Sequence, residues 1–270
     1  MFSKKSSRRV AGRLAGLLFV VGLILAVTPA QAITYGQPDT EHPFVGAIVV
    51  RSSGGSGFEF CSGTLISPRV FLSAGHCTIA LTEYAFNPED VFLSFGPNVV
   101  DPTTWHAVDH WVTNPAYWWG PMSDPHDLGV VILKDAMNGL GFGVLAPQPG
   151  YLDGLWAAGK LTVTTTFTNV GYGSDQNMAD TNVREYSVSS FRNLHKAWLY
   201  MSQNVHTGNG GTCFGDSGGP TFYTAADGSE YLVAVTSWGD AQCKSTNNNY
   251  RADTAASLAF IADMVAANPA

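Results

Sequence analysis

Three polar residues, each bordered by a short apolar or glycine-rich segment, could together carry out acyl transfer. Ser217 lies in the run Gly215-Asp216-Ser217-Gly218-Gly219-Pro220, whose small residues allow a tight backbone turn that exposes the serine oxygen. His76 follows one apolar run, and Asp127 precedes another. Because a serine hydroxyl is a poor nucleophile at neutral pH, an imidazole must accept its proton and a buried carboxylate must orient that imidazole. The order His, Asp, Ser is one of the known orders for such a triad.

Each of these signals is weak when taken singly. A histidine beside a cysteine is often structural, and an aspartate before a strand often caps a turn. The pentapeptide Gly215–Gly219 also fits the Gly-x-Ser-x-Gly turn of esterases with an α/β fold. In those esterases the acid and the histidine follow the serine, whereas here both precede it, and no alternation of strands and helices is visible. The three residues together therefore favour a triad in the order His76, Asp127, Ser217 over an esterase with an α/β fold.

The elements that must position these residues are mostly short strands. Apolar runs are separated by Gly, Pro, Asn and Asp, which is typical of an all-β barrel or sandwich. The predicted strands are 44–50, 63–66, 70–73, 91–95, 129–133, 161–167, 184–190, 221–223 and 231–237. Only Thr254–Ala267 has clear helical spacing, with Asp253 or Thr254 as its cap, and a short helical turn is compatible with 74–78. The Pro- and Gly-bearing stretch Asn138–Gly150 is the candidate linker between two halves.

The N-terminus has the pattern of a secretion signal. A positive patch at 4–13 precedes an apolar stretch from about Leu14 to Val27, and Ala30-Gln31-Ala32 has the small-residue pattern of a cleavage site. A membrane anchor is the alternative, but the stretch is shorter than the roughly 20 residues that a spanning helix needs. We therefore predict a signal peptide over 1–32 and a secreted protein without stable membrane association.

Removal of 1–32 leaves nine basic and 21 acidic residues, a formal net charge of −12. Such a charge disfavours binding to nucleic acid and to anionic membranes. The chain has four cysteines, Cys61, Cys77, Cys213 and Cys243, and an even number in an exported protein predicts two disulfides with three possible pairings. A zinc site is the alternative, but no pair has the short Cys-x(2–4)-Cys spacing.

The motifs resemble those of the trypsin/chymotrypsin-like serine peptidases over nearly all of the mature chain. The segments Phe60–Ile66 and Leu72–Cys77 are similar to the family's cysteine and histidine blocks, and Asp127-Leu128-Gly129 is similar to its aspartate block. Val170–Gly173, Cys213–Pro220 and Thr236–Gly239 match three further blocks, of which the serine block is the most specific. Two departures are mild: Ser62 stands where the family usually has Gly, and Gly75 where it usually has Ala.

The resemblance implies a fold of two six-stranded antiparallel β-barrels of the chymotrypsin type, followed by a C-terminal helix. The expected segments are 33–147 with His76 and Asp127, 148–252 with Ser217, and 253–270 for the helix. It also implies disulfides Cys61–Cys77 and Cys213–Cys243. The backbone N–H groups of Gly215 and Ser217 would form an oxyanion hole.

The resemblance further implies how substrate would bind and how the protein would be activated. Ser237 would hydrogen-bond Asp127, and the backbone of Ser237, Trp238 and Gly239 would pair with an extended peptide. In the family a new N-terminal Ile or Val pairs with the Asp that precedes the serine, which is Asp216 here. Because cleavage after Ala32 would expose Ile33, we predict that signal removal itself generates the active N-terminus.

The predicted specificity pocket carries no fixed charge at its floor. The position that is Asp in trypsin-like members is Gly211 here, and its neighbour Thr212 is neutral. We therefore predict a preference for apolar or aromatic side chains before the scissile bond. The predicted function is a secreted serine endopeptidase that acts on proteins or peptides as a monomer, without metal or cofactor. The alternatives are a non-catalytic binding protein on the same fold and a secreted serine esterase.

Overall fold

The computed structural model describes residues 33–118 and 123–270, so the predicted signal segment 1–32 lies outside the described residues. The strands are β1 Gln37–Pro38, β2 Val45–Arg51, β3 Gly57–Leu65, β4 Val70–Ser73, β5 Val91–Ser94, β6 Trp105–Thr113, β7 Gly129–Leu133, β8 Thr166–Gly171, β9 Glu185–Leu194, β10 Trp198–Ser202, β11 Pro220–Thr224, β12 Glu230–Gly239 and β13 Thr246–Arg251. The helices are α1 Gly75–Glu83, α2 Tyr151–Ala157 and α3 Ala255–Ala267.

Two closed antiparallel barrels account for nearly all of these strands, which confirms the predicted fold class. The first barrel has the order β2-β3-β4-β7-β6-β5. The second has the order β8-β9-β10-β13-β12-β11 and closes through the pairing of β11 with β8. Closure matters because it removes the free strand edges that an open sheet would expose. The short strand β1 pairs with β9, so the segment that begins the described chain lies on the second barrel.

The largest apolar cluster lies between the barrels. It combines residues of the first barrel, such as Leu72 and Val130, with Phe222 and Val235 of the second, and all four are fully or almost fully buried. Helix α3 adds Ile261 to the same cluster. Each barrel also has its own cluster, around Phe71 in the first and Phe167 in the second. The shared cluster fixes one barrel against the other, and residues at their junction are therefore held in a defined geometry.

Most of the predicted strands are present, with informative differences. The strand predicted at 161–167 instead begins at Thr166, and four strands, β1, β6, β10 and β13, were not predicted. The C-terminal helix agrees with its prediction, and the cap is Thr254, whose side chain accepts a hydrogen bond from Ser257 N. Helix α1 is longer than the predicted turn, and α2 lies directly after the predicted linker. Among the described residues, no helix is long and apolar enough to cross a membrane.

Candidate active site

His76 and Asp127 are brought together by the pairing of two strands in the first barrel. Strands β4 and β7 are antiparallel neighbours, and Ser73 at the end of β4 lies opposite Gly129 at the start of β7. His76 therefore lies in the first turn of α1, just after β4, while Asp127 lies just before β7. The backbone at His126 has a positive φ of 53°, a left-handed conformation that is uncommon for a residue other than glycine.

The Asp127 carboxylate is buried and fully engaged. Its Oδ1 accepts a hydrogen bond of 2.8 Å from the backbone N–H of His76, and its Oδ2 lies 3.0 Å from His76 Nδ1. Ser237 Oγ donates a further hydrogen bond to Oδ2 at 2.5 Å. This arrangement holds the imidazole with Nδ1 toward the carboxylate and leaves Nε2 for another partner.

The two charged forms stabilise each other. Burial alone would raise the pKa of the Asp127 carboxyl, but the charge and hydrogen bond of His76, together with the Ser237 hydroxyl, lower it. For His76, burial lowers the pKa of the ring because it disfavours the imidazolium. The charge and hydrogen bond of the Asp127 carboxylate outweigh burial, so the pKa of His76 is raised above its ordinary value. A histidine in this setting is a stronger base than an isolated one.

The Ser217 loop lies at the junction of the barrels and contacts both. Ser62 N of β3 donates to Ser217 O at 2.9 Å, and Gly218 N donates to Thr236 O of β12 at 2.8 Å. Gly218 has a φ of +81°, and a Cβ there would overlap Ser73 Oγ, just before His76. Only glycine permits this close approach. Within the described part of the chain no hydrogen bond joins Ser217 Oγ to the His76 ring, and such bonds are often long before substrate binds.

Two backbone N–H groups beside Ser217 are available to a ligand. Gly215 adopts a φ of +93°, which turns its peptide so that Phe214 O accepts from Ser174 N at 2.7 Å. Among the described residues, the N–H groups of Gly215 and Ser217 donate to no backbone or side-chain acceptor. Adjacent free donors at a tight turn are the arrangement that stabilises an oxyanion.

Asp216 is completely buried beneath this turn. Its Oδ1 accepts from Gly173 N at 2.9 Å and its Oδ2 from Cys213 N at 2.8 Å. Burial raises the pKa of Asp216 to about 7; the two hydrogen bonds act in the opposite direction, and the negative charge of Glu185 adds to the rise.

Ile33, the predicted partner of Asp216, is also fully buried. Its neighbour Thr34 forms a two-way antiparallel bridge with Gly211, in which both N···O distances are 3.1 Å. The first two residues after the predicted cleavage site, Ile33 and Thr34, are thus buried, and the chain becomes exposed at Tyr35. The ion pair between the Ile33 ammonium and Asp216 stays a prediction.

A cavity of about 330 Å³ lies beside Ser217. Its walls include most of the predicted substrate-binding residues, which are Thr212, Ser237, Trp238 and Gly239. Phe214, Ala241 and the Cys213–Cys243 disulfide give these walls an apolar character.

The one acidic residue of the cavity wall, Asp240, is already engaged. Its carboxylate accepts hydrogen bonds from the backbone N–H groups of Lys244, Ser245 and Thr246. Burial opposes its charge, but these hydrogen bonds outweigh burial and lower the pKa of Asp240. Asp240 is therefore ionised, and both of its carboxylate oxygens already accept hydrogen bonds from the chain.

Behind the cavity wall, in contact with Thr212 and Asp240, lies a residue that sequence reasoning missed. Gln203 is buried, and its Oε1 accepts from Thr212 N at 3.0 Å. A Cβ at Gly211 would overlap the same Oε1, so Gly211 packs against Gln203 and is not among the cavity's lining residues. Gln203 follows a strand that the sequence did not predict, and no motif distinguishes it.

Two disulfides brace the site, as predicted. Cys61 is bonded to Cys77, next to His76, and Cys213 is bonded to Cys243 on the cavity wall. The four cysteines are thus all paired. In the described residues, one group of potential metal ligands comes together, at Cys61, His76 and Cys77. Because its two sulfurs are bonded to each other, this group cannot supply thiolates to a metal.

A double barrel with a serine, a carboxylate-bound histidine and two free N–H groups at the junction defines the architecture of a chymotrypsin-type peptidase. The family model described as Trypsin matches residues 33–261, and the chain therefore belongs to the trypsin family of serine peptidases. A relative named Trypsin from Saccharopolyspora erythraea is 26% identical over 214 residues, which cover 74% of this chain and 82% of that protein.

Proposed function

We propose that the chain is a secreted serine endopeptidase that hydrolyses peptide bonds through an acyl-enzyme on Ser217. The observation that carries this proposal is the hydrogen-bonded set Ser237–Asp127–His76, which lies at the barrel junction beside the Ser217 turn. Membership of the trypsin family supports a peptidase in general. The residue roles rest on the geometry and chemistry of the site.

In the proposed reaction, Ser217 Oγ attacks the scissile carbonyl carbon while His76 Nε2 takes the hydroxyl proton. The carbonyl oxygen becomes an oxyanion that accepts hydrogen bonds from Gly215 N and Ser217 N. When the tetrahedral intermediate breaks down, His76 returns the proton to the leaving amine, and Ser217 is left as an ester. A water then repeats the sequence and releases the acid. Throughout, Asp127 remains ionised and stabilises the imidazolium.

The cavity supports a preference for an apolar or aromatic side chain before the scissile bond. Its walls include a disulfide, Ala241 and two aromatic residues, and the carboxylate oxygens of Asp240 already accept hydrogen bonds from backbone donors. A cationic side chain would therefore lose its hydration without gaining a free carboxylate. The backbone of Ser237–Gly239 would pair with the extended substrate on the acyl side.

The two disulfides support function outside the cytoplasm, because such bonds persist in oxidising compartments. We propose that cleavage after Ala32 releases the chain and creates the Ile33 ammonium, which then pairs with Asp216. The buried position of Ile33 supports this step. We expect the mature protein to act as a monomer without stable membrane association.

Cleavage-site profiling of the purified secreted protein tests the proposal, with Ser217→Ala as the matched control. We expect the wild type to cut peptides after Phe, Tyr, Leu or Met and to react with an active-serine phosphonate. The variant should do neither while it retains the wild-type melting temperature. Equal cleavage by both would overturn the role of Ser217. Fastest turnover after Lys or Arg would overturn the proposed specificity, and failure to label would favour a binding protein.

A further inference from the structure

A second pocket, of about 350 Å³, lies on the other side of the Gly215 turn. It shares Phe214 with the first cavity, and its walls also include Phe58, Glu59 and Phe60 of β3. Phe58 and Glu59 belong to none of the sequence motifs, and Phe60 is the first residue of the cysteine block. Glu59 is the one charged residue of β3, and it lies three residues before Ser62, whose N–H donates to Ser217 O.

Among the described residues, no cationic side chain pairs with the acidic groups of this pocket. Glu59 is partly buried, and its Oε1 is a buried atom without a hydrogen-bond partner in the described part of the chain. A Cβ at Gly215 would overlap Glu59 Oε2, so the carboxyl lies directly against the turn. Asp180 lines the same pocket, and no lysine or arginine in the described part of the chain forms an ion pair with either residue.

Burial raises the pKa of Glu59 well above its ordinary value, and the charges of Asp216 and Asp180 add to the rise. Three acidic side chains thus act on one buried region. An ammonium or guanidinium group placed there would reduce their mutual repulsion and would favour ionised Glu59.

The pocket walls also suit a cation. Phe58 is 46% exposed and Phe214 is 61% exposed, which is unusual for such large apolar side chains. Phe58 and Phe60 pack edge to face, with ring centroids 6.5 Å apart. Aromatic faces attract cations through their quadrupole, and they also cover the methylene stem of a long basic side chain.

The second pocket lies on the side of the site where the leaving group of the proposed reaction would be. Strand β3 runs from the pocket to Cys61, whose disulfide partner Cys77 adjoins His76. His76 gives its proton to the leaving amine, whereas the Ser237–Gly239 strand, which would hold the acyl side, lines the first cavity. A peptide that crosses the Gly215 turn therefore passes from the first cavity to the second.

We propose that this second pocket binds a Lys or Arg side chain of the substrate, within the first three residues after the scissile bond. Glu59 and Asp180 would supply the negative charge, and Phe58, Phe60 and Phe214 the aromatic walls. This inference rests on the proposed endopeptidase function and adds a specificity on its leaving-group side.

The test uses the full mature protein and peptides with one fixed acyl side. Each of the three positions after the scissile bond carries Arg, Lys, Gln, Leu or Glu in turn, and kcat/KM is measured. At one position we expect Arg and Lys to exceed Gln by roughly fivefold to tenfold, the magnitude of a partly exposed ion pair with cation–π contact. Glu59→Gln and Asp180→Asn should each reduce that ratio. Glu89→Gln, which removes an exposed carboxylate elsewhere, should leave it unchanged.

The outcomes separate the two proposals. If wild type and Ser217→Ala behave alike on all peptides, the proposed function fails. If the wild type cleaves but the ratio of Arg to Gln is near one at all three positions, the pocket inference alone is overturned. It is also overturned if the ratio survives both variants. Because Asp180 is exposed, Asp180→Asn keeps the test decisive if Glu59→Gln disturbs folding.

Discussion

Two buried aspartates lie on either side of the nucleophile turn, and their surroundings differ sharply. Asp127 has a histidine, a serine hydroxyl and a backbone N–H as partners, and its pKa is lowered despite burial. Asp216 has two backbone N–H groups and acidic neighbours, and burial raises its pKa to about 7. Among the described residues, Asp127 thus has a cationic partner and Asp216 has none.

This difference shows which part of the site is complete in the fold itself. The Asp127 region is assembled by strand pairing within one barrel, so folding alone supplies its partner. The Asp216 region is short of one positive charge. Ile33 is fully buried, and we propose that a free α-amino group there supplies that charge. We therefore infer that folding alone makes His76 a strong base. In contrast, the ordered conformation of the Gly215–Ser217 turn depends on N-terminal processing.

The largest expected effect comes from Asp127→Asn. Loss of the carboxylate removes the group that orients and charges the imidazole, and kcat should fall on the order of 10⁴-fold. The acid limb of kcat/KM should also move to lower pH, because the Asp127 charge is what raises the pKa of His76 above its ordinary value. Steady-state kinetics from pH 5 to pH 9 measure both effects.

A matched control is available on the surface. Asp109 lies 3.0 Å from His110 Nδ1, and both side chains are about half exposed. Because solvent screens that pair, Asp109→Asn should change neither kcat nor the pH profile. An Asp127→Asn variant that kept more than a tenth of wild-type kcat would show that the two buried aspartates are not distinguished as described.

The second effect concerns the N-terminus. A protein that retains Gln31-Ala32 before Ile33 has no ammonium at Ile33. Its kcat should fall about 10²- to 10³-fold, the usual effect of losing an oxyanion donor. Asp216→Asn in the processed protein should cause a similar loss. If the two groups form one ion pair, the extension should add little further loss to Asp216→Asn, which a double-mutant cycle measures. Full activity of the extended protein would remove the proposed link.

The same pair predicts a pH dependence of stability. In the extended protein the pKa of Asp216 is about 7, above its unfolded value, so the folded form binds more protons. The contribution of Asp216 to stability is therefore fully present below about pH 4 and is lost as pH rises to about 7. The ammonium of the processed protein lowers that pKa and prevents this loss. The difference in melting temperature between the two forms should widen from pH 4 to pH 7, and a constant difference would contradict the ion pair.

The comparison also shows how far the sequence alone reaches. His76, Asp127 and Ser217 were identifiable because each is a reactive type with distinctive neighbours, and the disulfide pairing followed from the resemblance of their segments. Their geometry depends on the register of β4 with β7, which no local pattern contains. The types of the candidate reactive residues were thus predictable from the sequence, whereas the contacts that position them were not.

The strands and residues that were missed share a physical cause. Strand β13 carries three consecutive asparagines, a residue type that is depleted in strands. They are nevertheless buried, and Asn249 donates to Asn169 of β8 and Thr221 of β11, two strands that do not pair with β13. Such a polar network exists only once the barrel has closed. Glu59 and Gln203 were missed for the same reason, because their burial depends on distant strands.

The smallest effect tests how tightly the Asp127 region is packed. Gly75 stands where related peptidases usually have alanine, and a Cβ there would lie 2.9 Å from Tyr117 Cδ2 and 3.0 Å from Leu128 O. Because Leu128 O is backbone next to Asp127, the mismatch cannot be relieved by a side chain alone. Gly75→Ala should therefore destabilise the fold by about 1–2 kcal/mol and lower kcat a few-fold by displacing His76. Urea unfolding and steady-state kinetics measure the two effects.

Gly154→Ala in α2 is the matched control, because a Cβ there meets nothing within 4 Å. This substitution should instead stabilise the fold by about 0.5–1 kcal/mol and leave kcat unchanged. Opposite signs for these two substitutions would show that the turn before His76 is held by contact, and equal stabilisation would show that it is loose.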